Sequence, residues 1–486
     1  MSSSAARSIL PGLASWVEAE FCGITADSRS VKPGWLFAAL PGQRADGRRF
    51  IADAVARGAA AVLAPEGTVW PAGVPARPLL LDPEPRRALA LFAAEHAGPQ
   101  PEQCVAVTGT NGKTSTVDFL RQLLTFAGRR AASIGTLGIV AGGVAEDTTL
   151  AASLTTPDPV VLAGALTQLA RDGVDAVAME ASSHGLDQFR LDGVRLTAAG
   201  FSNLTRDHLD YHGTMAAYRA AKLRLFEALL PEGAPAVADA LLDQETLAAL
   251  REIAARRRLA LRTTGENGDL FRLVRAIPRA DGQELAIEAD GVRRLVFLPL
   301  PGRFQADNAL LAAGLAEALD LPAPLDLLLR LKGVRGRMEL AACLPNGAAA
   351  YVDYAHTPDA LTRLIGALRP HTTGKLHLVF GAGGDRDPGK RPLMGEAARA
   401  ANVAWITDDN PRGENPAAIR RAILAACPGA REVGDRAACI EQALGALGPG
   451  DVLAVAGKGH ETGQLAAGVT LPFDDVAVIR GLVGRS

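Results

Sequence analysis

The decapeptide VTGTNGKTST, Val107–Thr116, is the stretch whose residue types and order point most directly to chemistry. Gly109 and Gly112 let a backbone turn tightly and approach phosphate closely. Lys113 can reach phosphate oxygens, and the Thr114 hydroxyl can serve a magnesium ion. Thr110, Asn111 and Ser115 complete the loop, and a helix beginning there aims its first amides at the anion. The glycine spacing is shorter than in GxxxxGK[ST], and the plain alternative is a Gly-rich turn before a helix. Position favours nucleotide: the apolar run CVAVTG precedes the loop and the helical pattern TSTVDFLRQLLTFAG follows it. Glu180 closes a second apolar run, VDAVAME, where a phosphate-loop enzyme often keeps a metal-binding carboxylate. Magnesium takes oxygen ligands and keeps several waters, so one or two carboxylates suffice.

These groups need a scaffold, and apolar runs alternating with helical patterns supply one. From about residue 9 to 98 the elements are short and punctuated by Gly and Pro, and AGPQPEQ (Ala97–Gln103) reads as a linker. The strand–loop–helix unit at the phosphate loop is followed by a helix from about Pro157 to Asp172 and the strand VDAVAME. That alternation implies a parallel sheet covered on both faces. From about Leu340 onward, AAAYVDYAH, LHLVFGAGG, NVAWITDDNP and DVLAVAGKGH read as four strands ending in polar or Gly-rich loops. PDALTRLIGAL and MGEAARAA read as helices between them. In such doubly wound sheets ligands sit at the carboxyl ends of the strands.

The 486 residues are 48% hydrophobic and 21% charged, which suits a globular chain of two to four domains. A net charge of −2 without a basic block gives no support for nucleic-acid binding. Five scattered cysteines without CxxC spacing suit a reducing cytosol. No signal peptide is expected from MSSSAARSILPG, and no uncharged apolar run is long enough to span a membrane.

TGTNGKT, MEASSHGL, FSNLTRDHLDYHGT, GRME, VDYAHTPDAL, GGDRDPGKRPLM, TDDNPR and AGKGHE stand in this order along the chain. Together they resemble the Mur ligases, over nearly the whole length, and among them the members that add diaminopimelate. The resemblance implies an α/β protein of three domains. These would be a small N-terminal α/β domain for the UDP end of a substrate (1–99), a central P-loop ATPase-like parallel-sheet domain (100–338) and a C-terminal Rossmann-like domain for an amino acid (339–486). It implies a monomeric cytoplasmic ligase of cell-wall synthesis using ATP and Mg2+, with an acyl phosphate preceding the amide, and no nucleic-acid or membrane partner.

The resemblance also assigns residues. Gly109–Ser115 would hold ATP with Asn308, Arg337 and Asp353, His356 standing nearby, and Lys113 at the terminal phosphates. Thr114, Glu180, His208 and Lys222 would hold magnesium, Lys222 as a carbamate. By type alone His208 is part of a loop with Asp207, Asp210 and His212, Lys222 is an exposed helical lysine, and Asn308 is a solvated helix asparagine. Ser28, Gln43, Arg44, Ala45, Thr155, Thr156, Ser182, Gln188 and Arg190 would take the UDP-muramoyl dipeptide. Gln43 stands where the family usually has His or Ser, and Thr156 before Pro157 also reads as a helix N-cap. Arg386, Asp409, Asn410, Pro411, Arg412, Gly457 and Glu461 would take diaminopimelate, the forked guanidinium of Arg412 meeting its distal carboxylate. A lysine-adding relative and, in another class, a P-loop ATPase switch remain the alternatives; a folylpolyglutamate synthase fits the motifs less well.

Overall fold

The structure is a computed structural model that describes residues 21–42, 45–141, 154–385, 387–466 and 468–484. Among the described residues three large sheets follow one another along the chain, and a two-stranded hairpin, Gly463–Ala466 with Val469–Pro472, lies near its end. The first has four parallel strands in chain order, Gly23–Thr25, Trp35–Ala38, Ala61–Pro65 and Leu79–Asp82. Period-2 alternation sends Phe37 and Val62 to one face and Leu36 and Leu63 to the other. Helix Pro85–Ala97 leaves this sheet and packs on helix Pro159–Arg171 of the next unit.

The second sheet has ten strands, and Gln103–Thr108 lies inside it between Ala198–Phe201 and Ala176–Glu180. Val105 and Val107 pack with helices Lys113–Phe126 and Arg303–Glu317, whereas Cys104 and Ala106 pack with helix Pro159–Arg171. Burial on both faces explains the unbroken apolar runs. The sheet extends through an antiparallel meander, Phe271–Arg279, Gly282–Ala289 and Val292–Leu298, that the motif reading does not contain. Its signal is present in the sequence: Asp281-Gly282 and Asp290-Gly291 separate strand-like runs. Asp290 and Gly291 both have positive φ, as a tight hairpin turn requires.

The third sheet has six strands. Ala349–Asp353, Val452–Ala456, Leu376–Phe380 and Val403–Ile406 lie parallel in that spatial order, with Glu339–Cys343 antiparallel at one edge and the short strand Arg431–Glu432 at the other. Two buried contacts seat it on the central unit. His371 Nε2 accepts from Gly302 N at 2.8 Å while its Nδ1 faces Arg279 O and Gly282 O at 2.8 and 3.0 Å. The Tyr351 hydroxyl donates to Ala280 O at 2.6 Å. Near the linker, a Cβ at Gly336 would collide with the backbone of Gly459 and His460, so the two loops meet there through bare backbone.

Candidate active site

The phosphate loop takes its shape from backbone demands. Gly109 and Gly112 have φ of 146° and 84°, a region costly for side chains, and a Cβ on Gly112 would collide with Asn308 Oδ1. Thr110 N donates to Asn203 O at 2.8 Å and Asn111 N to Asn203 Oδ1 at 2.9 Å. The Ser202 hydroxyl donates to Asn111 O at 2.6 Å. The FSN tripeptide Phe201–Asn203 therefore clamps the loop, a part the motif reading left unassigned. Lys113 Nζ donates to Gly109 O and Thr110 O at 2.9 and 2.8 Å. Asn308 is buried against this loop, its Nδ2 donating to Gln305 Oε1 at 3.1 Å, so it is not a solvated helix residue.

Glu180 is buried and sits at a crossing. Its Oε1 accepts from the Thr114 hydroxyl at 2.9 Å and from Thr136 N at 2.7 Å. Its backbone carbonyl accepts from the Thr156 hydroxyl at 2.8 Å. Burial pushes the Glu180 carboxyl up and the Lys113 ammonium down, each opposed by the other's charge. Thr114 and Glu180 offer hard oxygen donors of the kind magnesium takes, which fits that ion. Among the described residues no three His, Cys, Asp or Glu side chains gather into a metal-holding group, so phosphate oxygens and further ligands must complete any shell.

Lys222 is not the exposed helical lysine its type suggests. It is buried in helix Met215–Arg224, where Nζ donates to Gly109 O at 2.7 Å and lies 4.6 Å from the centre of the Tyr218 ring. Burial, and then the charge of Lys113, bring its ammonium down to about 6. The Tyr218 hydroxyl in turn meets Thr110 Oγ1 at 3.1 Å, a further contact to the loop that the motifs did not single out. His208 is exposed at φ 50°, its N donating to Asp207 Oδ1 at 2.8 Å and its ring 4.9 Å from that of His184.

A second cluster borders Glu180 on its other side. The Thr156 hydroxyl also accepts from Ser182 N at 2.9 Å and meets Ser182 Oγ at 3.0 Å. Ser182 caps the helix Ser183–Asp187 by accepting from Gly185 N. Arg190 donates to Thr156 O at 2.7 Å and Gln188 Oε1 at 2.8 Å, and Gln188 reaches Tyr211 at 3.2 Å. Thr155 Oγ1 accepts from Thr136 Oγ1 at 3.3 Å. The N-cap expectation for Thr156 is wrong: the helix is Pro159–Arg171, Asp158 caps it, and Pro159 takes the first position. Thr156 instead bonds the end of the strand Ala176–Glu180. Ser28 lies in a one-turn helix capped by Asp27, and Ala45 O accepts from Gly42 N at 3.0 Å. Gln43 and Arg44 lie outside the described residues.

The amino-acid candidates gather at the carboxyl ends of two strands of the third sheet. Asn410 and Arg412 have φ of 43° and 53°, and a Cβ on Gly457 would collide with Asp409 Oδ2. Asn410 Nδ2 donates to Glu461 Oε2 at 2.8 Å, and Arg412 Nη1 donates to Gly384 O at 2.8 Å. Pro411 is buried between them, and Arg412 N donates to Leu465 O at 3.0 Å. Burial raises the Asp409 carboxyl, with Arg436 and Lys458 opposing. Arg386 lies outside the described residues. Between this cluster and the central unit, the Asp353 carboxylate accepts from Met338 N and Ala355 N, both at 2.8 Å. Arg337 and His356 flank Tyr354.

A phosphate loop on a central parallel sheet, a polar cluster sharing its acidic residue and a third doubly wound sheet with its own polar strand ends define a multidomain nucleotide-using α/β enzyme. Family models agree along the chain: Mur ligase family, catalytic domain over 20–95; Mur ligase middle domain over 107–316; and Mur ligase, glutamate ligase domain over 336–459. A UDP-N-acetylmuramoyl-L-alanyl-D-glutamate–2,6-diaminopimelate ligase of Caulobacter vibrioides is 55% identical over 94% of both chains. One of Rhizobium meliloti is 52% identical over 96% of this chain and 94% of its own. A solved structure bearing the same enzyme name superimposes with a TM-score of 0.75 at 33% identity, covering 96% of this chain and 95% of that one. The chain belongs to the Mur ligase family.

Proposed function

We propose that this chain is an ADP-forming ligase of peptidoglycan precursor synthesis that uses ATP to join meso-2,6-diaminopimelate to UDP-N-acetylmuramoyl-L-alanyl-D-glutamate. The observation that carries the reaction is Glu180, whose side chain meets the phosphate loop at Thr114 and whose carbonyl meets the second cluster at Thr156. That adjacency supports phosphoryl transfer from ATP to a carboxylate, which needs both substrates at one point. The choice of that substrate and of the amino acid rests on likeness to the named relatives and on Asp409–Arg412.

In this reading residues 1–99 take the UDP end, with Ser28, Gln43, Arg44 and Ala45. Residues 100–338 take ATP, with Asn308 at the adenine and Arg337 near the phosphates. Asp353, at the start of residues 339–486, faces the ribose. Thr155, Thr156, Ser182, Gln188 and Arg190 hold the sugar–peptide part and aim its terminal carboxylate. Lys113 offsets the repulsion between that carboxylate and the triphosphate. The γ-phosphoryl group passes to the carboxylate, giving an acyl phosphate and ADP. The amine of diaminopimelate, held by Arg386, Asp409–Arg412, Gly457 and Glu461, attacks the acyl carbon. The tetrahedral intermediate expels phosphate and leaves an amide. Magnesium, held by Thr114, Glu180, His208 and a carbamate on Lys222, would supply charge neutralisation along the phosphates. The neutral Lys222 amine bonds the carbon of CO2 and loses a proton to form that carbamate. The same reading has the enzyme working as a cytoplasmic monomer, away from nucleic acid and membrane. Among the described residues no helix is long and apolar enough to cross a membrane.

The test is phosphate release with ATP, the UDP-linked dipeptide and a panel of amino acids, omitting each in turn. Steady release should need all three substrates. A charge-assisted contact of about 1.5–3 kcal/mol at Arg412 should make kcat/KM for diaminopimelate at least about tenfold that for L-lysine. Full-rate release without an amino acid overturns the ligase reading; equal or better use of lysine overturns the specificity.

A further inference from the structure

Lys458 takes no part in the assignments above, yet it is a fully buried ammonium beneath the amino-acid loop. It stands between Gly457 and Gly459, with φ of 119° and 55°, a backbone path that turns its side chain under Asp409–Arg412. Nζ donates to Gly463 O at 2.7 Å and to Asn410 Oδ1 at 3.1 Å. It also lies 3.5 Å from Glu461 Oε2 and 3.9 Å from Asp409 Oδ1.

Asn410 Oδ1 receives a second donor, Leu465 N, at 2.8 Å. Two donors converging on one atom mark it as the carboxamide oxygen. The reversed amide would set its NH2 group against an ammonium and a backbone N–H. Nδ2 is therefore directed to Glu461 Oε2 at 2.8 Å. A neutral side chain of the same length would fill this space without desolvating a charge. What the ammonium adds is direction.

We propose that Lys458 is a positioning residue for amino-acid selection: it fixes Asn410 as a donor and steadies Glu461 as an acceptor, so that the loop reads an ammonium and a carboxylate at set places. This rests on the amino-acid site proposed above. With Lys458 in place, Glu461 is held for a cationic group, while the second N–H of Asn410 and the Nη2 edge of Arg412, whose Nη1 is held by Gly384 O, face an anionic one.

Lys458→Met keeps length and removes the donor. It should raise the KM for diaminopimelate by at least about tenfold and shrink the preference over L-lysine in proportion, with the KM values for ATP and the UDP-linked dipeptide within about twofold. A uniform rise in all three KM values, or none, overturns the inference. Asn410→Asp decides the matter should Lys458→Met not fold. It keeps an oxygen towards Lys458 and Leu465 N but places an acceptor opposite Glu461, and the same selective rise is expected. An unchanged KM for diaminopimelate in Asn410→Asp overturns the inference. Failure of the unaltered enzyme to use diaminopimelate would instead sink the substrate reading.

Discussion

At the scale of single residues, burial separates what the sequence could show from what it could not. The clustering of Gly109, Lys113 and Glu180 was legible because it follows from the order and spacing of residues at two strand ends. Lys222, Lys458 and Asn308 were not, since the groups they meet come from distant segments: Gly109 O meets Lys222, Asn410 Oδ1 meets Lys458, and the phosphate loop closes on Asn308. Type alone makes each a solvated residue. Burial and the charge of Lys113 lower the hold of Lys222 on its proton, which favours the neutral amine that the proposed carbamate needs. Lys222→Arg keeps an N–H donor beside Gly109 O but cannot form a stable carbamate. Turnover should fall on the order of a hundredfold, the size of losing one group that stabilises charge at the reacting centre. Near-normal turnover in this variant would remove the carbamate from the mechanism.

At the scale of elements, the strands and helices that flank the motifs were readable from period and punctuation, and their joints were not. LTTPDP contains two prolines, and pattern alone favoured a helix starting at Pro157. The extended Asp158 and its bond to Val160 N move the start to Pro159. That shift frees Thr156 to stitch strand Ala176–Glu180 to helix Ser183–Asp187. Its single buried hydroxyl gives one bond to Glu180 O and takes one from Ser182 N. Thr156→Val preserves shape and leaves both backbone groups without this partner, at about 1–3 kcal/mol for each group left unpaired. Urea unfolding should report that loss, and the KM for the UDP-linked dipeptide should rise more than that for ATP. Unchanged stability would show that the stitch contributes nothing.

At the scale of the whole molecule, the third sheet rests on the second through His371. Nε2 accepts from Gly302 N, so the ring must be neutral, and burial lowers its affinity for protons below that of an ordinary histidine. The unfolded chain therefore binds a proton at a higher pH than the folded one. The stabilisation is complete above the ordinary value of about 6.5 and is lost as pH falls below it, by up to about 1.4 kcal/mol per pH unit. Urea midpoints measured from pH 8 to pH 5 should fall more steeply for the native chain than for His371→Phe, which cannot titrate. Parallel curves would remove His371 as the cause. No motif touches this residue, and its partners Arg279, Gly282 and Gly302 belong to a hairpin and a loop of another sheet, so only the assembled structure reveals it.

Glu180 ends a strand of the second sheet and Asn410 lies in a loop beyond a strand of the third, and that separation bears on how such a chain can be re-engineered. Glu180 bonds the phosphate loop through its side chain and Thr156 through its carbonyl, so on the proposed function the ATP site and the acceptor site must be redesigned together. The Asp409–Arg412 and Gly457–Glu461 loops are braced by Lys458 from below and by the backbone of Gly336 and the carbonyls of Gly384 and Leu465 around them. On the proposed function, changing the added amino acid calls for exchanging both loops together with their buried lysine and the fit of Gly459 against Gly336.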